Sequence, residues 1–280
     1  MSKTWFVTGA ARGIGAEIVK AALGAGDKVA ATGRDPGKME QAFGAGREQL
    51  LPLELDVTRA EQATTAAEAA LRHFGRIDVL VNNAGYGHLG VFEESTDDEV
   101  RKQFATNVFG MMMVTRAVLP GMRQQRSGRI INISSVAGLR GGFGAALYCS
   151  SKFAVEGFSQ SLAAEVAPFG VHVTVVSPGY FRTDFLDASS IVEARTHIAD
   201  YDGTAGETRK LAKARNHQQQ GDPKRLAQAM LELVRSGSPP MRLPMGTDAV
   251  SGIEAKNAFV GRELETWRKL SVSTDFPALA

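Results

Sequence analysis

The sequence predicts an α/β fold, a doubly wound parallel sheet with helices on both faces, in a single domain. Two observations carry this reading. Six short apolar runs, at residues 5–8, 28–32, 50–55, 79–82, 129–133 and 171–176, alternate with longer helical patterns at 14–23, 60–74, 97–122 and 147–167. Most runs hold Val, Ile or Leu on consecutive positions, as strands buried on both faces do, and such strands form parallel sheets. Strand–helix alternation then implies right-handed βαβ crossovers. Thr96, with Glu99 three residues later, forms a capping box that starts the 97–122 helix.

The rest of the chain fits one domain spanning 1–280, with no linker, repeat or low-complexity tract. Residues from about 184 to 221 form a variable insertion, polar and carrying Lys210, Lys213 and Arg215; a substrate lid and a solvated helical insertion are both open readings. Beyond it, 223–235 reads as a helix, 241–243 as a short edge strand and 248–270 as a helix. With 280 residues, 44% of them hydrophobic, the chain can bury a core without staples. One cysteine, Cys149, precludes an internal disulfide and suits a reducing compartment. A near balance of 32 basic and 30 acidic residues argues against nucleic acid as a partner. The N-terminal run has no signal-peptide pattern and no stretch is long and apolar enough to span a bilayer, so the expectation is a cytoplasmic protein.

The first strand ends in Thr8-Gly9-Ala10-Ala11-Arg12-Gly13-Ile14-Gly15. Glycines here give a tight turn, close backbone approach to a pyrophosphate and close helix–strand packing, and the helix that follows offers free N–H groups and a positive dipole end. The spacing G-x-x-x-G-x-G in a Rossmann-like sheet points to a dinucleotide. At the end of the second strand, Gly33 occupies the position where many NAD sites carry an acid, and Arg34 follows. A guanidinium suits a 2′-phosphate, and Arg12 could help. NADP(H) is therefore preferred; Asp35, a register slip of two away, keeps NAD(H) possible.

Tyr148 and Lys152 stand four apart, one helical turn on the same face. Ser135 lies thirteen residues upstream of the tyrosine, Asn107 sits within the 97–122 helix pattern, and Asn82-Asn83-Ala84-Gly85 closes the fourth strand. With Asp56 after the third strand and Pro178-Gly179 followed by Thr183, five motifs stand in order from about residue 3 to residue 185. On these motifs the chain resembles the classical short-chain dehydrogenases/reductases.

The resemblance implies a nicotinamide enzyme acting on a carbonyl or alcohol carbon. Tyr148 is then the proton donor, or the base in the oxidative direction. A free phenol titrates near 10, and a neighbouring Lys152 ammonium is expected to lower that value. Ser135, preferred to Ser134 by its spacing, would fix the substrate oxygen. By resemblance, Lys152 holds the nicotinamide ribose and Asn107 a water that links Lys152 to solvent; a helix-interior amide bonded to backbone is the alternative for Asn107. The remaining cofactor contacts implied are Gly9, Arg12, Gly13, Ile14, Gly15, Arg34, Asn83, Ala84, Gly85, Pro178 and Gly179. Asp56 and Val57 would meet the adenine, Asp56 serving equally well as a helix N-cap from Thr58, and Thr183 the carboxamide, with a turn hydroxyl as its alternative. A homodimer or homotetramer, built through the two long helices, is also implied.

Phe143, Tyr180 and Phe185 are candidate walls of the substrate site, with Leu147, Phe181 and Leu186 adding apolar surface. They suit a neutral, fairly hydrophobic ketone, aldehyde or secondary alcohol. A 3-ketoacyl-thioester reductase is the nearest alternative, which a basic entrance around residues 210–213 would favour. A non-catalytic NAD(P)-binding sensor or scaffold is the alternative of another class, and it has no use for Asn107, Ser135, Tyr148 and Lys152 together. The five histidines show no metal-ligand spacing, and His88 reads as a surface-loop residue. Cys149 reads as packing.

Overall fold

The computed structural model describes residues 2–276; Met1 and 277–280, which the single-domain span 1–280 includes, lie outside the described residues. The chain runs β1 (Thr4–Thr8), α1 (Gly13–Gly24), β2 (Lys28–Gly33), α2 (Pro36–Phe43), β3 (Leu50–Glu54), α3 (Ala60–Phe74), β4 (Val79–Asn82), β5 (Gly87–Leu89), α4 (Asp97–Phe104), α5 (Met111–Gln125), β6 (Gly128–Ile133), α6 (Ala146–Val166), β7 (Val171–Pro178), β8 (Ile191–Glu193), α7 (Glu207–Arg215), α8 (Pro223–Arg235), β9 (Arg242–Met245) and α9 (Thr247–Val272). Seven strands form one sheet in the order β3-β2-β1-β4-β6-β7-β9, and every pairing in it is parallel. The order reverses between β1 and β4, and ligands of open α/β sheets bind outside the strand ends at such a switch point.

Two apolar cores explain why consecutive strand positions are apolar. Trp5, Val7, Val79, Val81 and Ile131 face a layer that includes α1 and α8. Phe6, Leu80 and Ile130 face the layer of α3, α5 and α6. The central strands bury both faces, as their sequences predict. At their N-terminal ends carboxylates tie the strands down: Asp27 accepts from Lys3 N and Trp5 Nε1, both at 2.8 Å, and Asp78 accepts from Thr4 N at 2.8 Å.

The structure departs from the sequence reading in four places. The 97–122 pattern is not one helix: α4 and α5 are joined by a π-helical turn over Ala105–Gly110. Its start is as expected, with Glu99 Oε2 accepting from Thr96 N at 2.8 Å. Helix α2 carries no periodic pattern in the sequence, being only about two turns long; it starts at Asp35-Pro36, an N-cap followed by proline at N1. Strands β5 and β8 pair in parallel as a separate two-stranded ribbon. The insertion is therefore joined to the body by a ladder and not only by its ends. His88 lies on β5 and is buried, 1% exposed, because the insertion covers it; it is no surface-loop residue.

Leu80, fully buried in β4 at the centre of the sheet, tests the two-core description. Leu80→Ala is expected to lower the unfolding free energy by about 2–5 kcal/mol, read from urea unfolding followed by circular dichroism.

Candidate active site

The glycine turn is shaped by what it packs against. Gly9 and Gly13 take left-handed φ values of 62° and 57°, which favour glycine. A Cβ on Gly15 would lie 2.4 Å from Gly9 O and 2.5 Å from Asn83 Nδ2, so no larger residue fits there. Asn83 braces the turn, donating from Nδ2 to Thr8 O and Gly9 O at 3.0 Å each. The Thr8 hydroxyl accepts from Asn83 N and Ala84 N at 2.9 and 3.0 Å. Ile14 packs against the first core, leaving its backbone as its contribution. Helix α1 begins with no side-chain cap and no acid in its first turn, so its N–H groups and positive end can receive an anion. Across the cleft, the nearest atom to a Cβ on Gly13 would be Thr183 Cβ at 3.7 Å. These features fit a pyrophosphate-bearing cofactor.

At the end of β2, Asp35 is engaged in capping α2, accepting from Gly37 N at 3.1 Å. Arg34 lies near Asp56. Partial burial works to raise the Asp56 carboxyl, but hydrogen bonds from the Thr58 hydroxyl and amide, with Arg34 and Arg59 beside it, bring it below the ordinary carboxylate value. Asp56 closes a turn on Thr58 at 2.7 and 3.0 Å. It is not the cap of α3, whose N-cap position is Arg59. Val57 is buried against Gly110. Arg12 donates to Ser189 O at 2.7 Å and to the Ser189 hydroxyl, tying the glycine turn to the insertion.

The four catalytic candidates converge. Asn107 sits on the π-helical turn, which widens the helix locally. Its Oδ1 accepts from Tyr86 N at 3.1 Å, while Nδ2 donates to Tyr86 O at 2.9 Å and Ser151 Oγ at 3.2 Å. A Cβ on Gly85 would lie 3.1 Å from Asn107 Oδ1 and 3.8 Å from Lys152 Nζ, so glycine there lets both groups approach one point. Ser135 Oγ, which accepts from Ala137 N at 3.2 Å, stands near enough to the Tyr148 phenol to favour its ionised form. Ser134 instead turns inward, 3% exposed, towards Glu156.

The electrostatics correct one expectation. Burial pushes the Tyr148 phenol up to about 12, against the nearby Ser135 hydroxyl, which draws it down. Lys152 does not offset that burial: its Nζ donates to Ile133 O at 2.8 Å and stands 5.8 Å from the Tyr148 ring centre. Burial pushes the Lys152 ammonium down to about 8, with Glu156 opposing. Glu156, one turn further along α6, accepts from Ser177 Oγ at 2.9 Å, and burial raises its carboxyl. Sequence reading missed this group; its signal was the acid four residues after the lysine.

Phe185 reaches the site, its ring centre 5.9 Å from that of Tyr148. Tyr180 is close enough to influence the phenol and lies under the Arg215 guanidinium at 4.9 Å. Phe143 is 74% exposed, on the outer side of its loop. The end of β7 at Pro178-Gly179 is braced by Asp248, which accepts from Tyr180 N at 2.8 Å; this residue too went unread. The Thr183 hydroxyl caps a short turn, accepting from Phe185 N at 3.2 Å. The insertion is clamped at Glu94, which is 1% exposed and accepts from Ile198 N and Val91 N at 3.0 Å and from Arg209. Within the insertion the fold brings Asp184, Asp187 and His217 together, with ligand atoms within 4.8 Å of one another. His217 is paired to Asp187 at 3.1 Å. Cys149 is buried, as packing requires.

The short chain dehydrogenase family matches residues 3–193. An oxidoreductase, BOA17, of Botryotinia fuckeliana is 38% identical over 275 residues, covering 98% of this chain and all of that protein. A 3-ketodihydrosphingosine reductase of Bacteroides thetaiotaomicron is 38% identical over 86% of each. Among solved structures, a short-chain dehydrogenase from Streptomyces avermitilis superposes with a TM-score of 0.92 at 39% identity, over 99% of this chain and all of that one. ElxO with NADP bound has a TM-score of 0.74 at 28% identity, over 90% of this chain and all of that one. With the parallel sheet, the glycine turn and the Ser135–Tyr148–Lys152 cluster in place, the chain belongs to the short-chain dehydrogenase family and is an NAD(P)-dependent oxidoreductase of it.

Proposed function

We propose that the chain reduces a neutral, fairly hydrophobic ketone or aldehyde, or runs the reverse oxidation of a secondary alcohol, with NADP(H) preferred to NAD(H). The observation that carries the reading is the part-buried Tyr148 phenol, beside Ser135 and faced by the Phe185 ring. The nicotinamide, when bound, supplies or takes the hydride. The 9–15 turn, Arg34, Asp56, Thr183 and Lys152 are the residues to hold it.

A phenol at about 12 keeps its proton through the neutral range, the state needed to protonate a carbonyl oxygen. Ser135 can donate to that same oxygen and fix it against the tyrosine. As the proton leaves, phenolate charge develops, and the Lys152 ammonium stabilises it. Asn107, anchored to the Tyr86 backbone on both its amide atoms, is the group to hold a water on the path from Lys152 outward. The apolar Phe185 face excludes water from the reacting oxygen.

Arg34 at the strand end supports NADP(H), while the next residue, Asp35, has one carboxylate oxygen engaged by Gly37 N in capping α2. The thioester reading loses its main support: Lys210 and Lys213 pair with Glu207 and Glu193 at 2.8 and 3.2 Å, so no unpaired basic patch stands at 210–213. A cytoplasmic setting fits the single buried thiol.

Three outcomes test this. Tyr148→Phe is expected to lower kcat by about 10²–10⁴ in steady-state assays, with the NADPH dissociation constant within a few-fold of the parent; retained turnover removes the proton donor. Arg34→Asp is expected to lower the NADPH/NADH preference by roughly ten- to a hundred-fold, measured as the ratio of kcat/KM; an unchanged ratio rejects the 2′-phosphate assignment. In the reductive direction kcat/KM should hold steady below pH 8 and fall as pH rises through about 8, where Lys152 loses its proton while Tyr148 keeps its own. A profile flat to pH 10 would mean that the lysine charge is not used.

A further inference from the structure

Helix α6 carries a buried acid that takes no part in the proton transfer itself. Tyr148, Lys152 and Glu156 stand four residues apart, so they follow one another along one face of the helix. Lys152 and Glu156 are only 6% and 3% exposed. Each is fixed to a different strand. Lys152 Nζ donates to Ile133 O of β6, and Glu156 Oε1 accepts from Ser177 Oγ of β7 at 2.9 Å. β6 and β7 are paired neighbours, with Ile133 opposite Val176, and paired strands lie about 4.8 Å apart. The ammonium and the carboxylate are therefore close enough to act on each other's charge.

Few other groups face the pair. From β9, Arg242 places Nε 3.7 Å from Glu156 Oε2. β6 and β7 offer the hydroxyls of Ser134 and Ser177, and α6 adds the Tyr148 phenol and the Cys149 thiol. Glu156 is the acid that acts on Lys152. A line of phenol, ammonium, carboxylate and guanidinium thus runs from the site to the edge strand. Stapling α6 to β7 does not need an acid. One oxygen suffices to accept from Ser177, and an amide would do so with a smaller desolvation cost. The second oxygen, Oε2, is buried and has no hydrogen-bond partner among the described residues. A carboxylate in such a water-poor interior acts strongly on a neighbouring cation.

We propose that Glu156 is a positioning residue of the reduction: its carboxylate is the internal counter-charge that keeps Lys152 an ammonium behind the Tyr148 phenol. The inference rests on the carbonyl-reduction reading. Burial drives the ammonium towards the neutral amine, and Glu156 is the group that opposes this. When the phenol gives up its proton, Lys152 must already be charged to stabilise the phenolate. Glu156 acts on the reaction only through Lys152, and Arg242 offsets part of the cost of burying the carboxylate.

The test compares Glu156→Gln with Glu156→Asp in the full-length chain, which separates charge from shape. Glu156→Gln keeps the length and an acceptor for Ser177 but loses the charge. Glu156→Asp keeps the charge but is one methylene shorter and draws back from Ser177. The first readout is the Cε resonance of Lys152 followed by NMR against pH, assigned by its loss in Lys152→Met; it needs no substrate. Its midpoint is expected to fall by about one pH unit or more in Glu156→Gln, and by less in Glu156→Asp. The second is the pH profile of kcat/KM for NADPH-dependent reduction, whose alkaline fall should begin earlier in Glu156→Gln by the same shift. Equal midpoints in the parent and Glu156→Gln overturn the inference. A larger shift in Glu156→Asp than in Glu156→Gln also overturns it, because that is the order a plain staple to Ser177 gives. If the parent reduces no carbonyl while the resonance still shifts in Glu156→Gln, the counter-charge stands and the reduction reading falls. If neither variant folds, the parent decides: its Lys152 resonance should show a second, smaller step as Glu156 takes up its proton in acid, and a single step overturns the coupling.

Discussion

The carboxyl ends of β1 and β4 are held together by one hydroxyl. Thr8 Oγ1 accepts from the amides of Asn83 and Ala84, and Asn83 returns two hydrogen bonds to the Thr8 and Gly9 carbonyls. This lock sits at the point where the strand order reverses. It presses the two strand ends so close that Gly9 and Gly15 admit no side chain. The phosphate end of the cleft and the catalytic end then have a common frame, because Gly85, two residues past Asn83, stands between Asn107 and Lys152. Without the Thr8 acceptor, two backbone N–H groups at the centre of the site would lose their partner, a cost of about 1–3 kcal/mol each if they stay buried.

Behind the cleft a second polar layer supports the catalytic side chains. The π-helical turn presents Asn107 to the Tyr86 backbone and to Ser151, and Ser151 donates in turn to Tyr148 O at 2.7 Å. Glu156 joins α6 to β7 through Ser177 and sits near Lys152. In front of the cleft, the insertion is fastened at three points: the β5–β8 ribbon, the Glu94 clamp and the Arg12–Ser189 contact. Those fastenings fit a fixed wall that carries Phe185 better than a loose flap. Glu94 keeps its charge because, although burial works to raise its carboxyl, the Ile198 and Val91 amides and Arg209 bring it below its usual value.

The sheet was legible because strands buried on both faces carry apolar residues on consecutive positions, as Trp5–Val7, Val79–Val81, Ile130–Ile131 and Val175–Val176 do. The catalytic cluster was legible because a helix fixes the four-residue spacing of Tyr148 and Lys152. What the sequence hid depends on tertiary contact. The π-helical turn has no periodic signature of its own. His88 looks like a loop histidine until β8 covers it. Asp248 braces Tyr180 across 68 residues of chain. The direction of the Tyr148 shift could not be read from Lys152 alone, since it is set by how deeply α6 buries the phenol, and the ammonium is drawn away to Ile133 O.

The central claim is that the cleft framed by Thr8, Asn83 and the α1 N-terminus is a nicotinamide dinucleotide site with Arg34 at its adenosine end. Parallel titration of the purified protein with NADPH and NADH, followed by reduced-nicotinamide fluorescence, tests it most directly. Saturable binding of both, tighter for NADPH, is the predicted result. Tighter NADH binding would contradict the role given to Arg34, and binding of neither by the folded protein would contradict the site itself.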